Sequence, residues 1–100
     1  MKEISYPELE EDVVVKIIEL GDNCVYVELL EYNNLKGIIE RGDISRRRIH
    51  NISKMVHINN IEIGKVIKLD KEKQYIYLSR RQAEFNETNR KKVALYIQNM

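Results

Sequence analysis

Five short apolar runs, rich in β-branched residues and separated by turn residues, restrict this chain to a small β-structure. Val13-Val14-Val15-Lys16-Ile17-Ile18 reads as the first strand, and Gly21-Asp22-Asn23 as the turn that ends it. Val25-Tyr26-Val27-Glu28-Leu29 alternates and pairs back as a hairpin. Asn33-Asn34 marks a second turn before the short run Lys36-Gly37-Ile38-Ile39-Glu40. Residues 41–51 then lose all periodicity, and Ile52, Met55 and Val56 recur at a spacing that predicts a short helix. Ile61 to Leu69 gives a fourth strand, with Gly64 as a bend or bulge. Asp70-Lys71-Glu72-Lys73 is a polar turn, and Tyr75 to Leu78 is the fifth strand.

Five strands with one long insertion between the third and fourth form the layout of an OB-type barrel, a mainly β fold. A small SH3-like barrel gives a similar pattern, and periodicity leaves the two open. Closure removes sheet edges and leaves the insertion outside as a surface loop. The organisation read from the chain is a barrel over residues 1–82 and an amphipathic helix over 83–100. Val93, Tyr96, Ile97 and Met100 share one helical face, and Asn86 or Thr88 is placed to cap its start. Such a helix needs a surface to cover. It either packs on its own barrel or begins a following domain.

Several function classes are excluded or disfavoured. No apolar run approaches the ~18 residues that cross a bilayer, and the acidic start MKEISYPELEED lacks the apolar core of a signal peptide. Cys24 is alone, which suits a reducing compartment, and is expected to fill a gap as a small buried hydrophobe. One cysteine and two scattered histidines, His50 and His57, form no familiar metal spacing. No glycine loop for phosphates and no nucleophile with a local base appear, so the chain does not read as an enzyme, and no cofactor is implied.

The net charge of +1 conceals an uneven distribution. The first twelve residues are acidic, whereas 41–54 and 65–81 are mostly basic. Within the first basic stretch, Ile44-Ser45-Arg46-Arg47-Arg48-Ile49 sets a hydroxyl directly before three guanidinium groups. A phosphate on Ser45 would add roughly −1.5 to −2 charges and three acceptor oxygens beside groups suited to grip them. Arg46, Arg47, Arg48 and His50 are candidates to contact phosphates of RNA or acids of a partner. Tyr26, on the second strand, is a candidate to stack a base, with cross-strand packing as its rival role.

The blocks LLEYNN (29–34), ISRRRI (44–49) and LDKEKQYIYLSRR (69–81) together resemble the N-terminal S1 domain of the alpha subunit of eukaryotic translation initiation factor 2. The resemblance runs over residues 7–81 and implies an OB-type S1 barrel of five strands. It implies that Ser45 is the serine modified by stress-activated protein kinases, because ISRRRI aligns onto LSRRRI. It implies that phosphorylated Ser45 inhibits the guanine nucleotide exchange factor. The arginine loop is implied to lie near messenger RNA and initiator transfer RNA on the small ribosomal subunit. The beta and gamma subunits would be engaged through parts outside this sequence, and the setting would be cytoplasmic. Lys73, Tyr75 and Ile76 match a kinase-docking segment, KGYID, in which Gln74 stands for glycine and Tyr77 for aspartate. Cys24 stands where the family has glycine, and Arg41-Gly42 where it has Leu-Ser. The resemblance also places a helical domain after the barrel, which makes residues 83–100 its first helix. Two other classes remain open: a kinase-binding pseudosubstrate decoy, which the intact Ser45 disfavours, and a generic S1 RNA-binding module.

Overall fold

The computed structural model describes residues 5–98. Five strands, β1 (Asp12–Leu20), β2 (Cys24–Leu29), β3 (Leu35–Glu40), β4 (Ile61–Asp70) and β5 (Tyr75–Ser79), are followed by one helix, α1 (Glu87–Gln98). They close in the order β1-β2-β3-β5-β4, with β4 returning to β1. Every pairing is antiparallel except β3 with β5, which run parallel. This connectivity is the OB barrel and decides against the SH3-like alternative. The inward residues alternate as the sequence predicts. Val13, Val15 and Ile17 of β1 meet Val25, Val27 and Leu29 of β2, Ile39 of β3, Val66 of β4, and Ile76 and Leu78 of β5 in one buried cluster.

Turn chemistry sets the connections. Asn33 and Asn34 both hold left-handed backbone, φ 54° and 60°, a conformation asparagine tolerates better than most residues. Gln74 does the same at φ 57° in the β4–β5 turn. Glycine adopts that conformation without a steric penalty, which is why a glycine suits the resembling segment at this point. Gly64 is no bulge: it pairs regularly with Val13, and the register shift in β4 falls between Val66 and Lys68. Its need is for space, since a Cβ there would meet Leu78 Cδ2 at 3.1 Å and Cβ at 3.2 Å. Cys24 is half-buried at the start of β2 and is not a core residue. The expected helix at 52–56 is a single 3-10 turn, Ile52–Lys54, whose Ile52 is buried. Asn51 caps it by accepting from Ser53 N at 3.0 Å.

The helix α1 packs against β1 and β4. Asn86 Oδ1 accepts from Asn89 N at 2.8 Å, so Asn86 is the cap and Thr88 lies inside the helix. The buried Asn89 donates to Asp12 Oδ2 at 3.0 Å and to Glu84 O at 2.9 Å, and Lys92 Nζ donates to Asp12 O at 3.1 Å. Asp12 Oδ1, buried without a hydrogen bond, faces Lys65 Nζ at 3.5 Å. The same cover explains Val14, which shares the outward face of β1 with Asp12 yet is fully buried. Val93 and Tyr96 are half-buried and Ile97 is exposed, while Met100 lies outside the described residues.

At the turn after β2, Tyr32 donates to Glu11 Oε2 at 2.5 Å, and Glu31 Oε1 accepts from Val14 N at 2.8 Å. Burial, followed by the hydrogen bond to Glu11, pushes the Tyr32 hydroxyl up to about 12. A raised phenol favours the folded state while it stays protonated. Its contribution is complete below the ordinary value near 10 and declines as pH rises towards 12. In a spectrophotometric titration of the tyrosines, the Tyr32 phenol is expected to ionise near the end, at about 12, with Tyr26 also raised above the ordinary value. Tyr32→Phe is expected to remove that late step and to flatten the fall in stability between pH 10 and 12. A late step of unchanged amplitude in Tyr32→Phe would refute the assignment, since Tyr26, also raised, is present in both proteins.

Candidate functional site

The loop carrying Ser45 leaves the barrel at the end of β3. A 3-10 turn, Arg41–Asp43, starts it, and Ile44 then turns inward and is fully buried. Ile49, Ile52 and Val56 pack on the same core. The sequence reading leaves the insertion outside the barrel as a surface loop, and the structure adds that the loop is pinned at both ends by apolar side chains. Arginines staple its backbone. Arg41 Nη2 donates to Ile49 O at 2.5 Å and Nη1 to Asp22 O at 3.2 Å. Arg80 Nη1 donates to Ile44 O at 3.0 Å, while its Nε is bonded to Glu62. Arg81 Nε lies 3.3 Å from Asp43 Oδ1, and the Arg80 and Arg81 amides both donate to Asp43 O. Sequence reasoning counts Arg41, Arg80 and Arg81 only within the two basic stretches and misses their bracing of the loop, because nothing local says which carbonyl an arginine will reach.

Between these anchors the chain is open. Ser45 is half-exposed, and Arg46, Arg47, Arg48 and His50 are exposed. Ser45 Oγ accepts from Arg47 N at 3.1 Å, a local turn that holds the hydroxyl oxygen over the next residues. Among the described residues, the guanidinium groups of Arg46, Arg47 and Arg48 have no carboxylate partner. Ser45, Arg41, Arg47, Arg48 and His50 line one hollow of about 450 Å³. The structure therefore brings the hydroxyl together with three of the four predicted basic groups. Arg46 and Arg47 also face a larger groove on the other side of Ser45. An oxyanion placed on Ser45 would meet unpaired donors from both sides.

Tyr26 lies elsewhere, on the outer surface of the barrel. Register sets Tyr26 opposite Ile38, Ile38 beside Tyr77, and Tyr77 opposite Lys68. All four point outward; Tyr26, Ile38 and Tyr77 are half-exposed and Lys68 is exposed. Lys68 Nζ sits 5.2 Å from the centre of the Tyr77 ring. The Tyr26 hydroxyl is held protonated above its ordinary value, chiefly by its hydrogen bond with Cys24. Two rings, an aliphatic side chain and a cation in one row make a platform on which unstacked bases can lie. Only cross-strand register reveals that row.

Lys73, Tyr75 and Ile76 fall at the β4–β5 turn and the start of β5. Ser45 lies near the far end of β5, where Arg80 meets Ile44 and Asp43. The two regions are therefore separated by the length of that strand. Lys73 is exposed and Tyr75 half-exposed, but Ile76 is fully buried and serves the core, so a docking patch here presents the first two side chains only.

Comparison with known proteins agrees with this geometry. The family model described as the S1 RNA binding domain matches residues 6–81. Over 81 residues the chain is 51% identical to eukaryotic translation initiation factor 2 subunit 1 of Dictyostelium discoideum. It is 43% identical over the same length to the initiation factor 2 subunit alpha homolog of Arabidopsis thaliana. Each match covers 81% of this chain and 24% of the relative, so the chain spans about a quarter of the length of these proteins. The intact alpha subunit of aIF2 from Pyrococcus abyssi superposes with a TM-score of 0.80 at 24% identity, covering 92% of this chain and 35% of that one. The alpha subunit in an a/eIF2alpha-aDim2p-rRNA complex from Pyrococcus horikoshii gives 0.79 at 24% identity, covering 94% and 55%. At that identity the likeness carries the fold alone. With the barrel order, the outward aromatic row and a family match over three-quarters of its length all in agreement, the chain belongs to the S1 RNA binding domain family.

Proposed function

We propose that this chain is the S1 module of a translation initiation factor 2 alpha subunit, and that its own task there is regulatory. Ser45 accepts a phosphate from a stress-activated protein kinase, and the modified loop then binds the guanine nucleotide exchange factor as an inhibitor. The parent factor delivers initiator methionyl transfer RNA to the small ribosomal subunit with GTP. One observation carries the reading: a half-exposed serine hydroxyl stands among arginines that lack carboxylate partners among the described residues, on a loop that the core holds in place. The relatives that share this region are alpha subunits of that factor. Adding phosphate offsets up to two of the three guanidinium charges and draws them into a hydrogen-bonded cluster, which changes the surface offered to a partner. The row Tyr26–Ile38–Tyr77 with Lys68 supports a second, compatible role in contacting single-stranded RNA.

Incubation with a purified kinase of that class and radiolabelled ATP tests the proposal. One phosphate per chain is expected, located at Ser45 by mass spectrometry and absent from Ser45→Ala. Kinase inhibition without labelling would replace the reading with the decoy. Tight, strongly salt-dependent binding of single strands without labelling would replace it with a general RNA-binding module.

A further inference from the structure

The hollow beside Ser45 holds a cation that the resembling family lacks, since Arg41 stands where that family has leucine. Arg41 is half-buried and opens the 3-10 turn Arg41–Asp43. Ile44 extends this turn in helical backbone, φ −80° and ψ −44°, and its N donates to Arg41 O at 3.3 Å. Residues four apart on such a turn share a face, and Ser45 is the fourth after Arg41. Both line the hollow of about 450 Å³ with Arg47, Arg48 and His50, and no carboxylate lines it. Gly42 leaves one side open, because a Cβ there would meet no atom within 4 Å. A guanidinium carries five N–H donors. Arg41 gives one to Asp22 O and one to Ile49 O, both neutral carbonyls. Among the described residues the other three donors have no acceptor, and the group has no carboxylate partner.

We propose that Arg41 is the receptor for a phosphate on Ser45. The dianion folds back into the hollow, accepts from the open donors of Arg41, and fastens the loop to the barrel. This rests on Ser45 being the modified residue and deepens that reading, because it says where the phosphate goes. The larger groove on the other side of Ser45 is the rival destination, and its charges disfavour it. Glu62 and Glu84 line that groove, Arg80 is bonded to Glu62, and Arg81 lies against Asp43. Carboxylates repel a phosphate and already occupy those arginines. In the hollow one guanidinium then ties together the β1–β2 turn through Asp22 O, the far end of the loop through Ile49 O, and the phosphate. Hydrogen bonds between two charged groups are roughly twice as strong as neutral ones. The modified loop is therefore held more firmly than the unmodified one, and Arg41 sets how stiff a surface the exchange factor meets.

Phosphoserine incorporated at position 45 during synthesis of the full chain tests this without any kinase. Hydrogen exchange of the amides at 46–50 is expected to slow by about fivefold to tenfold on phosphorylation, the effect of gaining one charge-assisted contact. Arg41→Leu is expected to lose most of that protection, and Arg41→Lys to keep part of it, because lysine keeps the charge without the fork. Arg46→Leu is expected to keep it, since Arg46 does not line the hollow. Each variant is compared with its own unmodified form, so the lost bonds to Asp22 and Ile49 cancel. The phosphorus resonance followed against pH supplies a readout that mere loosening of the loop would not move. The second ionisation of the phosphate, ordinarily near about 6, is expected to lie lower in the native chain than in Arg41→Leu. Arg47, Arg48 and His50 face the phosphate in both proteins. Equal protection in the native chain and Arg41→Leu, no protection in either, or an equal loss in Arg46→Leu would each overturn the proposal. Kinase labelling is a separate result: its failure overturns the regulatory reading, whereas failure of the exchange pattern overturns the role of Arg41.

Discussion

Replacing Ile44 by alanine is expected to lower stability by about 2–5 kcal/mol, the range for truncating a fully buried aliphatic side chain. For a domain of this size that is a fall in Tm of roughly 10–25 °C. Its second consequence concerns the site. Ile44 immediately precedes Ser45 and is the plug that holds the loop to the barrel, while Arg80 holds its carbonyl. Without the plug, Arg80 grips a backbone no longer fixed from inside, and the arginine run is released. Limited trypsin digestion reads this directly, because Arg46, Arg47 and Arg48 are exposed cleavage sites. Cleavage there is expected to accelerate at temperatures well below the Tm of the variant. A comparable truncation far from the loop, Val27→Ala, is expected to lower stability without speeding cleavage to the same extent. Equal acceleration in both would mean that the loop follows global unfolding and that Ile44 has no anchoring role of its own.

The second large effect lies where β5 crosses between its neighbours. A Cβ on Gly37 would meet Leu78 Cδ1 at 2.7 Å, and Leu29 Cδ1 and Val27 Cγ2 at 2.9 Å each. Leu78 also fills the space beside Gly64. One leucine therefore occupies the room that two glycines on the flanking strands leave open. Gly37→Ala is expected to destabilise by about 1–3 kcal/mol through overpacking, and Leu78→Ala by about 2–5 kcal/mol through the cavity it opens. Combined, they are expected to cost less than their sum by about 1 kcal/mol, as the added methyl enters the vacated space. Leu29 and Val27 still crowd the new Cβ, so the relief is partial. Urea denaturation of the two single variants and the double variant measures the coupling. Additive costs would show that Leu78 is not the neighbour that excludes a side chain at Gly37.

The legible and illegible parts of this protein divide along physical lines. The strand runs, the Asn33-Asn34 turn and the inward alternation are readable because each depends on a few adjacent residues; for the helix cap the sequence offers Asn86 or Thr88, and the structure selects Asn86. The short helix at 52–56 was over-read. Its apolar spacing fits a helix, but only one 3-10 turn forms before the chain must re-enter the barrel at Ile61. Gly64 and Cys24 were misjudged for a related reason. A glycine in a strand signals either an irregularity or a close neighbour, and the neighbour, Leu78, is fourteen positions away in sequence. The burial of Ile76 within a predicted surface patch shows the same limit. Tyr75 and Ile76 are adjacent in β5, so their side chains leave opposite faces of the sheet and one of them must point into the barrel.

From sequence alone came the number and order of the strands, the place of the insertion, and the serine beside three arginines within it, since period-two alternation and turn chemistry are local properties. Tertiary structure alone decided that Ile44 anchors the insertion and that Arg41, Arg80 and Arg81 clasp it. It alone aligned Tyr26, Ile38, Tyr77 and Lys68 into one row, and it alone opened a groove against α1. Those features depend on register and closure between strands far apart in the chain, and no short stretch of sequence encodes where a distant strand will stop.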